Sequence, residues 1–294
     1  MDASHENVFL EDIPAVQGGE AAPYAVLPIP LERTVSFGAG AGRGPAAVLA
    51  ASDQLELFDE ELREPFGLRV QTLRAVDCAQ GSMDEVLAAV EEAAAPVMRA
   101  GRFLLGLGGE HTASLGLIRA ARAGFGEFSV LHLDAHTDLR MEYEGEQLSH
   151  ACVMRRVREL GVPVVHAGIR SLSEEEHLFL ESDGAPVFWA RDIVRAPDDA
   201  WIQALVARLA PRVYVSIDID CLDPALAPGT GTPEPGGLDW YALTRLLRAV
   251  CAARELVAAD LVEVAPVPGS VVTEFVAARL AAKILVYHRA AQGA

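Results

Sequence analysis

The sequence predicts an α/β fold: a three-layer α/β/α arrangement with a central parallel sheet, in a single domain. Three observations predict it. Short apolar stretches alternate with longer amphipathic ones along the 294 residues. The short stretches are apolar on both faces, as strands covered by helices on both sides must be. No repeat, low-complexity linker or break in composition divides the chain. Its 51% hydrophobic content is enough for a sizeable core.

Residues 1–22 read as an N-terminal arm, partly disordered, and residues 23–294 as the domain proper. Tyr24–Ile29 is the first strand, ended by Pro28 and Pro30. A glycine-rich loop, Gly38–Gly44, follows, and Pro45 opens a helix over Ala46–Ser52. The loop lacks both glycine spacings that cradle phosphates. Leu68–Val76 is a strand, and Asp84–Arg99 a helix with apolar residues at helical spacing. Strands at Arg102–Gly106 and Phe128–Leu133 flank a helix at Ala113–Arg122. Residues 134–150 form a polar loop. Helix Cys152–Leu160, strand Val162–Ala167, helix Ser173–Glu181, strand Pro186–Trp189 and helix Asp198–Leu209 continue the alternation. A strand from Tyr214 leads into a Pro/Gly-rich loop, Asp223–Gly237. Helix Leu238–Cys251, strand Leu256–Val264 and helix Val271–His288 close the chain.

Composition excludes several classes. A formal charge of −18 disfavours nucleic acid or an anionic membrane as partner and suits a cationic ligand. No apolar run reaches membrane-spanning length. Met1–Glu20 has no basic segment followed by an apolar one, so no secretory signal is read there. Cys78, Cys152, Cys221 and Cys251 are widely spaced, which suits free thiols and a cytoplasmic location.

Four strands carry polar cargo at their carboxyl ends, the edge where open parallel sheets bind ligands. One runs into Gly108-Gly-Glu-His111, another into Asp134-Ala-His-Thr-Asp138. A third runs into Asp218-Ile-Asp220 and the fourth into Glu263. Alternation puts Asp134, His136 and Asp138 on one side of an extended segment, and Asp218 and Asp220 likewise. Unpaired carboxylates there would repel and be costly to desolvate, and a metal ion relieves both penalties. A calcium loop fits poorly, because Ile219, Cys221 and Leu222 stand where polar ligands and the turn glycine belong. The candidate ligands are His111, Asp134, His136, Asp138, Asp218 and Asp220. Two imidazoles with four carboxylates and no thiolate suit manganese or ferrous iron. Bridging carboxylates make a two-metal site natural, and a site left slightly negative suits a cation. His132 is read as a packing residue facing partly away from this side, and His166, His177 and His288 as structural.

These motifs resemble the ureohydrolase family of arginases and agmatinases, in order and over nearly the whole chain. The likeness runs through Leu27-Pro-Ile-Pro30, Thr34-Val-Ser-Phe37, Gly42-Arg-Gly-Pro45, Gly-Gly-Glu-His111 and Asp-Ala-His-Thr-Asp138. It continues through Ser149-His-Ala-Cys-Val-Met-Arg-Arg156, Ser216-Ile-Asp-Ile-Asp-Cys-Leu-Asp-Pro224, the loop Ala227–Gly237 and Val262-Glu-Val-Ala-Pro266. Glu110 departs from the family, which more often has Asp there. The resemblance implies the arginase/deacetylase fold, a catalytic domain over 23–294 and two Mn2+ per subunit. It puts His111, Asp134, Asp138 and Asp218 on one ion, and Asp134, His136, Asp218 and Asp220 on the other. It makes His150 the proton shuttle and Glu263 the holder of the substrate guanidinium, and it suggests a homo-oligomer, trimer or hexamer.

The implied chemistry is consistent with first principles. A guanidinium is resonance-stabilised and a poor electrophile. Attack at neutral pH needs a nucleophile that two metals can make from water by lowering its pKa. The departing amine needs a proton, which Asp138 can relay and His150 can exchange with solvent. The loop Leu139–His150 holds three glutamates and no asparagine, which favours an ammonium tail over a carboxylate. Agmatine, giving putrescine and urea, is therefore the expected substrate, with arginine or guanidinobutyrate as alternatives. A zinc deacetylase of the same fold fits the ligand set less well. A non-catalytic, metal-stabilised polyamine-binding protein would be expected to lack His150 or Glu263.

Overall fold

The computed structural model describes residues 7–293. The sheet begins with β1 (Tyr24–Ile29) and continues after α1 (Gly44–Ser52). A two-stranded antiparallel hairpin, β2 (Phe58–Asp59) and β3 (Glu64–Pro65), precedes β4 (Val70–Thr72). Next come α2 (Met83–Arg99), β5 (Phe103–Gly108), α3 (Ala113–Phe125), β6 (Ser129–Leu133), α4 (Val153–Glu159) and β7 (Val164–Ile169). Then follow α5 (Glu174–Asp183), β8 (Val187–Trp189), α6 (Ala190–Val194), α7 (Ala200–Val206) and β9 (Arg212–Asp218). The chain ends with α8 (Trp240–Ala253), β10 (Glu255–Val262) and α9 (Val272–Gln292).

Eight strands pair in parallel in the order β4-β1-β5-β10-β9-β6-β7-β8. The two faces of this sheet make two cores. Helices α1, α6, α7, α8 and α9 cover one face, and α2, α3, α4 and α5 the other. Strand alternation sorts the side chains between them. In β9, Val213, Val215 and Ile217 enter the first core and Tyr214 the second. The expected three-layer single domain is thus the observed fold.

Local chemistry explains two of the helix starts. Ser82 accepts from Glu85 N and Glu85 reaches back to Ser82 N, a capping box that opens α2. Ser173 and Glu176 do the same for α5. Several elements differ from expectation. The strand expected over Leu68–Val76 pairs only at Val70–Thr72. The short hairpin β2–β3 and α6 were not anticipated, since each is too short to show a period. Before α4 the chain makes a 3-10 turn at His150–Cys152.

The arm expected over residues 1–22 lies outside the described residues as far as residue 6. From Asn7 on, the chain packs against the body: Phe9, Leu10 and Val16 are buried in the first core. Leu10 N donates to Ser52 Oγ at 2.8 Å. Among the described residues, no helix is long and apolar enough to cross a membrane.

Candidate active site at the carboxyl edge

The four strands with polar cargo, β5, β10, β9 and β6, are consecutive neighbours in the sheet. Their carboxyl ends therefore converge, and the six candidate ligands meet there. His111 Nδ1 lies 3.1 Å from Asp134 Oδ2, 3.1 Å from Asp138 Oδ2 and 3.5 Å from Asp218 Oδ2. His136 Nδ1 lies 3.0 Å from Asp220 Oδ2 and 3.5 Å from Asp134 Oδ1. Asp134 faces both imidazoles, so its two oxygens point into two adjoining ligand groups.

The His111 tautomer follows from its neighbours. Ser216 Oγ donates to Asp260 Oδ1 at 2.7 Å, so it accepts from His111 Nε2, 2.9 Å away. With the proton on Nε2, the neutral imidazole presents a lone pair at Nδ1. That buried Nδ1 makes no hydrogen bond despite three carboxylates nearby. A buried lone pair facing carboxylates is costly in a folded protein and is what a metal ion would satisfy. The donor set of imidazole and carboxylate, without thiolate, fits a first-row divalent ion.

Electrostatics make the same point. Burial pushes the Asp218 carboxyl well above the usual range, and Asp220 and Asp134 push it further. Burial and Asp134 raise Asp220 too. Burial also works to raise Asp134, but His132, His111 and His136 outweigh it and hold it well below. His136 is pulled up to about 12, because Asp134 and Asp220 overcome the effect of burial.

Glu263 and Asp138 share a backbone peculiarity. Asp138 has φ 53° and Glu263 φ 62°, the left-handed region. Such a conformation costs roughly 1 kcal/mol or more and tends to persist at functional positions. At Glu263 the turn ends β10 and swings the carboxylate toward β5, where Oε1 accepts from His111 N at 2.7 Å. Burial raises the Glu263 carboxyl to about 8, and the nearby Glu110 and Asp220 add to the rise. At Asp138 the surrounding loop is held by the α5 capping box. Glu176 Oε1 accepts from Thr137 Oγ1 at 2.7 Å and from Leu139 N at 3.1 Å.

A cavity of about 240 Å3 opens over the cluster. His111, His136, Asp138 and Asp218 form part of its lining, with Glu263 and His150 on its walls. His150 sits between the hydroxyls of Thr34 and Ser36, and the Tyr143 ring packs on it at 5.6 Å. Asp134 and Asp220 lie beneath, fully buried or nearly so.

Three sequence readings need correction or addition. His132 does not face away. It shares the parity of Asp134 and His136, and its Nε2 is 2.9 Å from Asp134 Oδ2. His166 backs it, Nδ1 to Nδ1 at 2.9 Å. The glutamates of the loop after Asp138 do not line the cavity. Glu142, Glu144 and Glu146 are exposed around a tight turn, and Arg140 and Tyr143 line the cavity instead. Asp260 and Glu176 were missed. An aspartate inside the apolar run Ala258–Val262 and the Ser173-x-x-Glu176 spacing were the signals available.

The arginase-family model matches residues 22–287 of this chain. The chain belongs to the arginase family. Among its relatives, the N(1)-aminopropylagmatine ureohydrolase of Synechocystis sp. is 40% identical over 287 residues, 95% of this chain and 93% of that protein. The agmatinase of Bacillus anthracis is 36% identical, over 90% of each chain. The crystal structure of the agmatine ureohydrolase of Thermoplasma volcanium superposes with a TM-score of 0.83 at 30% identity, covering 98% of this arginase-family chain and 95% of that one.

Proposed function

We propose that this arginase-family protein is a binuclear manganese hydrolase that cleaves a guanidino group to urea and an amine. The observation that carries the proposal is the Asp134-centred cluster with Glu263 beside it in one cavity. His111, Asp134, Asp138 and Asp218 would hold one ion, and Asp134, His136, Asp218 and Asp220 the other. Bound there, two divalent ions supply a nucleophile by lowering the pKa of water.

The chain's own residues do the rest. Glu263 gives the guanidinium a buried carboxylate partner, a charge-assisted pair that orients the reacting carbon. Binding a cation there favours the ionised form of a carboxyl that burial otherwise keeps protonated up to about pH 8. Asp138 is placed to hand a proton to the departing amine, and His150, on the cavity wall, to exchange protons with solvent. The Tyr143 ring packs edge-on against His150 on that wall.

The substrate we favour is agmatine, whose guanidinium meets Glu263 and whose chain carries no carboxylate. The names of the Synechocystis and Thermus thermophilus relatives, at 38–40% identity, favour a second reading, N(1)-aminopropylagmatine. Arg140, which lines the cavity, sits 3.8 Å from buried Glu176, which offsets its charge toward a cationic substrate. The test is urea release by manganese-loaded protein from agmatine, N(1)-aminopropylagmatine, arginine and guanidinobutyrate. Either cationic amine should be turned over at least ten-fold faster than the two carboxylates, since one misplaced charge costs more than about 1.4 kcal/mol. Preference for arginine would overturn the assignment, and no urea from any of the four would favour a binding protein. Four buried free cysteines support a reducing, cytoplasmic setting, and family membership supports a homo-oligomer.

A further inference from the structure

Glu110, the residue that departs from the family motif, is fully buried and has a full set of donors. Its Oε2 accepts from Arg33 N at 2.5 Å and Thr34 N at 2.7 Å. Its Oε1 accepts from Thr34 Oγ1 at 2.8 Å and Thr112 Oγ1 at 2.7 Å. The loop after β1 is thereby fastened to the turn after β5. Gly109 makes the approach possible, because a Cβ there would stand 2.0 Å from Leu31 O. Arg33 secures the other side, reaching the carbonyls of Cys78, Gln80 and Gly81.

Thr34 is the link from this anchor to the cavity. Its hydroxyl proton is committed to Glu110, so its oxygen can only accept from anything else. Two groups of His150 approach that oxygen: the backbone N at 3.1 Å and Nδ1 at 3.2 Å. An acceptor facing Nδ1 requires the proton on Nδ1 in the neutral imidazole. Nε2 is then left with a lone pair beside the exposed Ser36 hydroxyl, 3.5 Å away.

We propose that Thr34, oriented by Glu110, is a positioning residue for His150. It fixes the neutral imidazole as the Nδ1–H tautomer and leaves Nε2 as the nitrogen that gains and loses the mobile proton. The inference rests on the reading of His150 as proton shuttle. Thr34 itself touches no reacting atom.

The test is a cycle of T34V, H150A and the double variant in the metal-loaded protein, with T34S as the conservative control. T34V keeps shape and removes the hydroxyl. Its kcat should fall about ten-fold, less than the roughly 100-fold or more expected from losing a general acid–base group outright, because the imidazole itself remains, with KM and metal content unchanged. T34S should recover most of that loss. In the H150A background T34V should cost nothing further, because the two act as one unit. If T34V lowers kcat by the same factor with and without His150, its effect is structural and the proposal fails. A T34V enzyme with wild-type kcat also overturns it, provided H150A is impaired. If H150A is itself unimpaired, the shuttle reading falls first and Thr34 has nothing to position. A T34V protein that does not fold leaves T34S and a T34A cycle to decide by the same additivity criterion.

Discussion

The molecule treats two of its clusters of acids oppositely. At the β2–β3 hairpin, Asp59, Glu60 and Glu61 surround the Lys283 ammonium at 2.9, 3.1 and 3.5 Å. Lys283 is 1% exposed, on the inner face of α9. Burial would raise the Asp59 carboxyl, but the Leu62 and Glu61 amides and Lys283 outweigh it and bring it below the usual range. At the carboxyl edge of the sheet, Asp218, Asp220 and Glu263 sit above the usual range, and burial is the first cause in each. The hairpin acids have a built-in cation. The edge acids have three imidazoles, His111, His132 and His136, already shared, and one another. Where charge serves the fold, the chain supplies both signs; where acids stay in excess at a cavity, the cation is expected from outside.

The largest effect should come from the edge. Asp134→Asn or Asp218→Asn removes charge from a carboxylate that faces both proposed ions, so each should lower metal content at both positions. Activity should fall more than about 100-fold, beyond the range found for residues that merely support ligands. Metal analysis and urea release measure this. Retention of two equivalents of manganese by either variant would break the contrast, because the edge would then not depend on outside cations.

The hairpin should respond in stability alone. Lys283→Met leaves Asp59 buried without its ammonium, a change that costs about 3 kcal/mol, at the low end because Glu60 is 61% exposed. Denaturant unfolding should show that loss, while metal content and turnover of the folded protein stay at wild-type levels. A drop in turnover would mean that α9 couples the two clusters.

Glu263→Gln separates the two roles within the edge itself. It keeps shape and the bond from His111 N while removing charge. The metals should remain, and catalytic efficiency should fall roughly thirty-fold, about 2 kcal/mol, as expected for losing one member of a buried charge pair. The thermal midpoint should hold or rise, since a carboxyl with a raised pKa gains nothing from ionising in the fold. A lower midpoint with normal catalysis would move Glu263 into the same class as Asp59.

The two clusters also differ in how far sequence exposes them. Asp134, His136 and Asp138 lie at period two after an apolar strand, and Asp218 and Asp220 repeat the spacing. Local geometry then needs only the parallel sheet to bring them together. The Lys283 cluster joins residues more than 220 positions apart, with no period or motif to mark it. Nothing short of packing α9 on the hairpin reveals it. Helix α6 and the hairpin strands escaped for a related reason: over two to five residues, tertiary contacts decide and propensity does not. The loop glutamates were legible as charge but not as position, because Glu144 and Gly145, both at positive φ, turn the chain tip toward solvent.

His132 tests the contrast at its smallest scale. It is a buried imidazole that donates to a proposed ligand, so within the acid-rich edge it plays, for one oxygen of Asp134, the part Lys283 plays at the hairpin. Its own support comes from His166, which burial keeps well below the usual histidine range and hence neutral. With Nε2 donating to Asp134, a neutral His132 accepts at Nδ1, so the neutral His166 donates its Nδ1–H there and brings no charge. The pair therefore orients Asp134 without competing with a metal for it. His132→Leu keeps the volume and removes the donor, and should weaken manganese binding about ten-fold, the low end for groups that support a ligand. His132→Gln, with an amide that can reach the place of Nε2, should recover most of that loss. Binding measured by titration of chelator-stripped protein reads the difference directly. If the Leu variant binds manganese as tightly as wild type, His132 is a packing residue after all and Asp134 is oriented by its ions alone. If Gln fails to recover what Leu loses, the contribution of His132 is shape rather than hydrogen bonding.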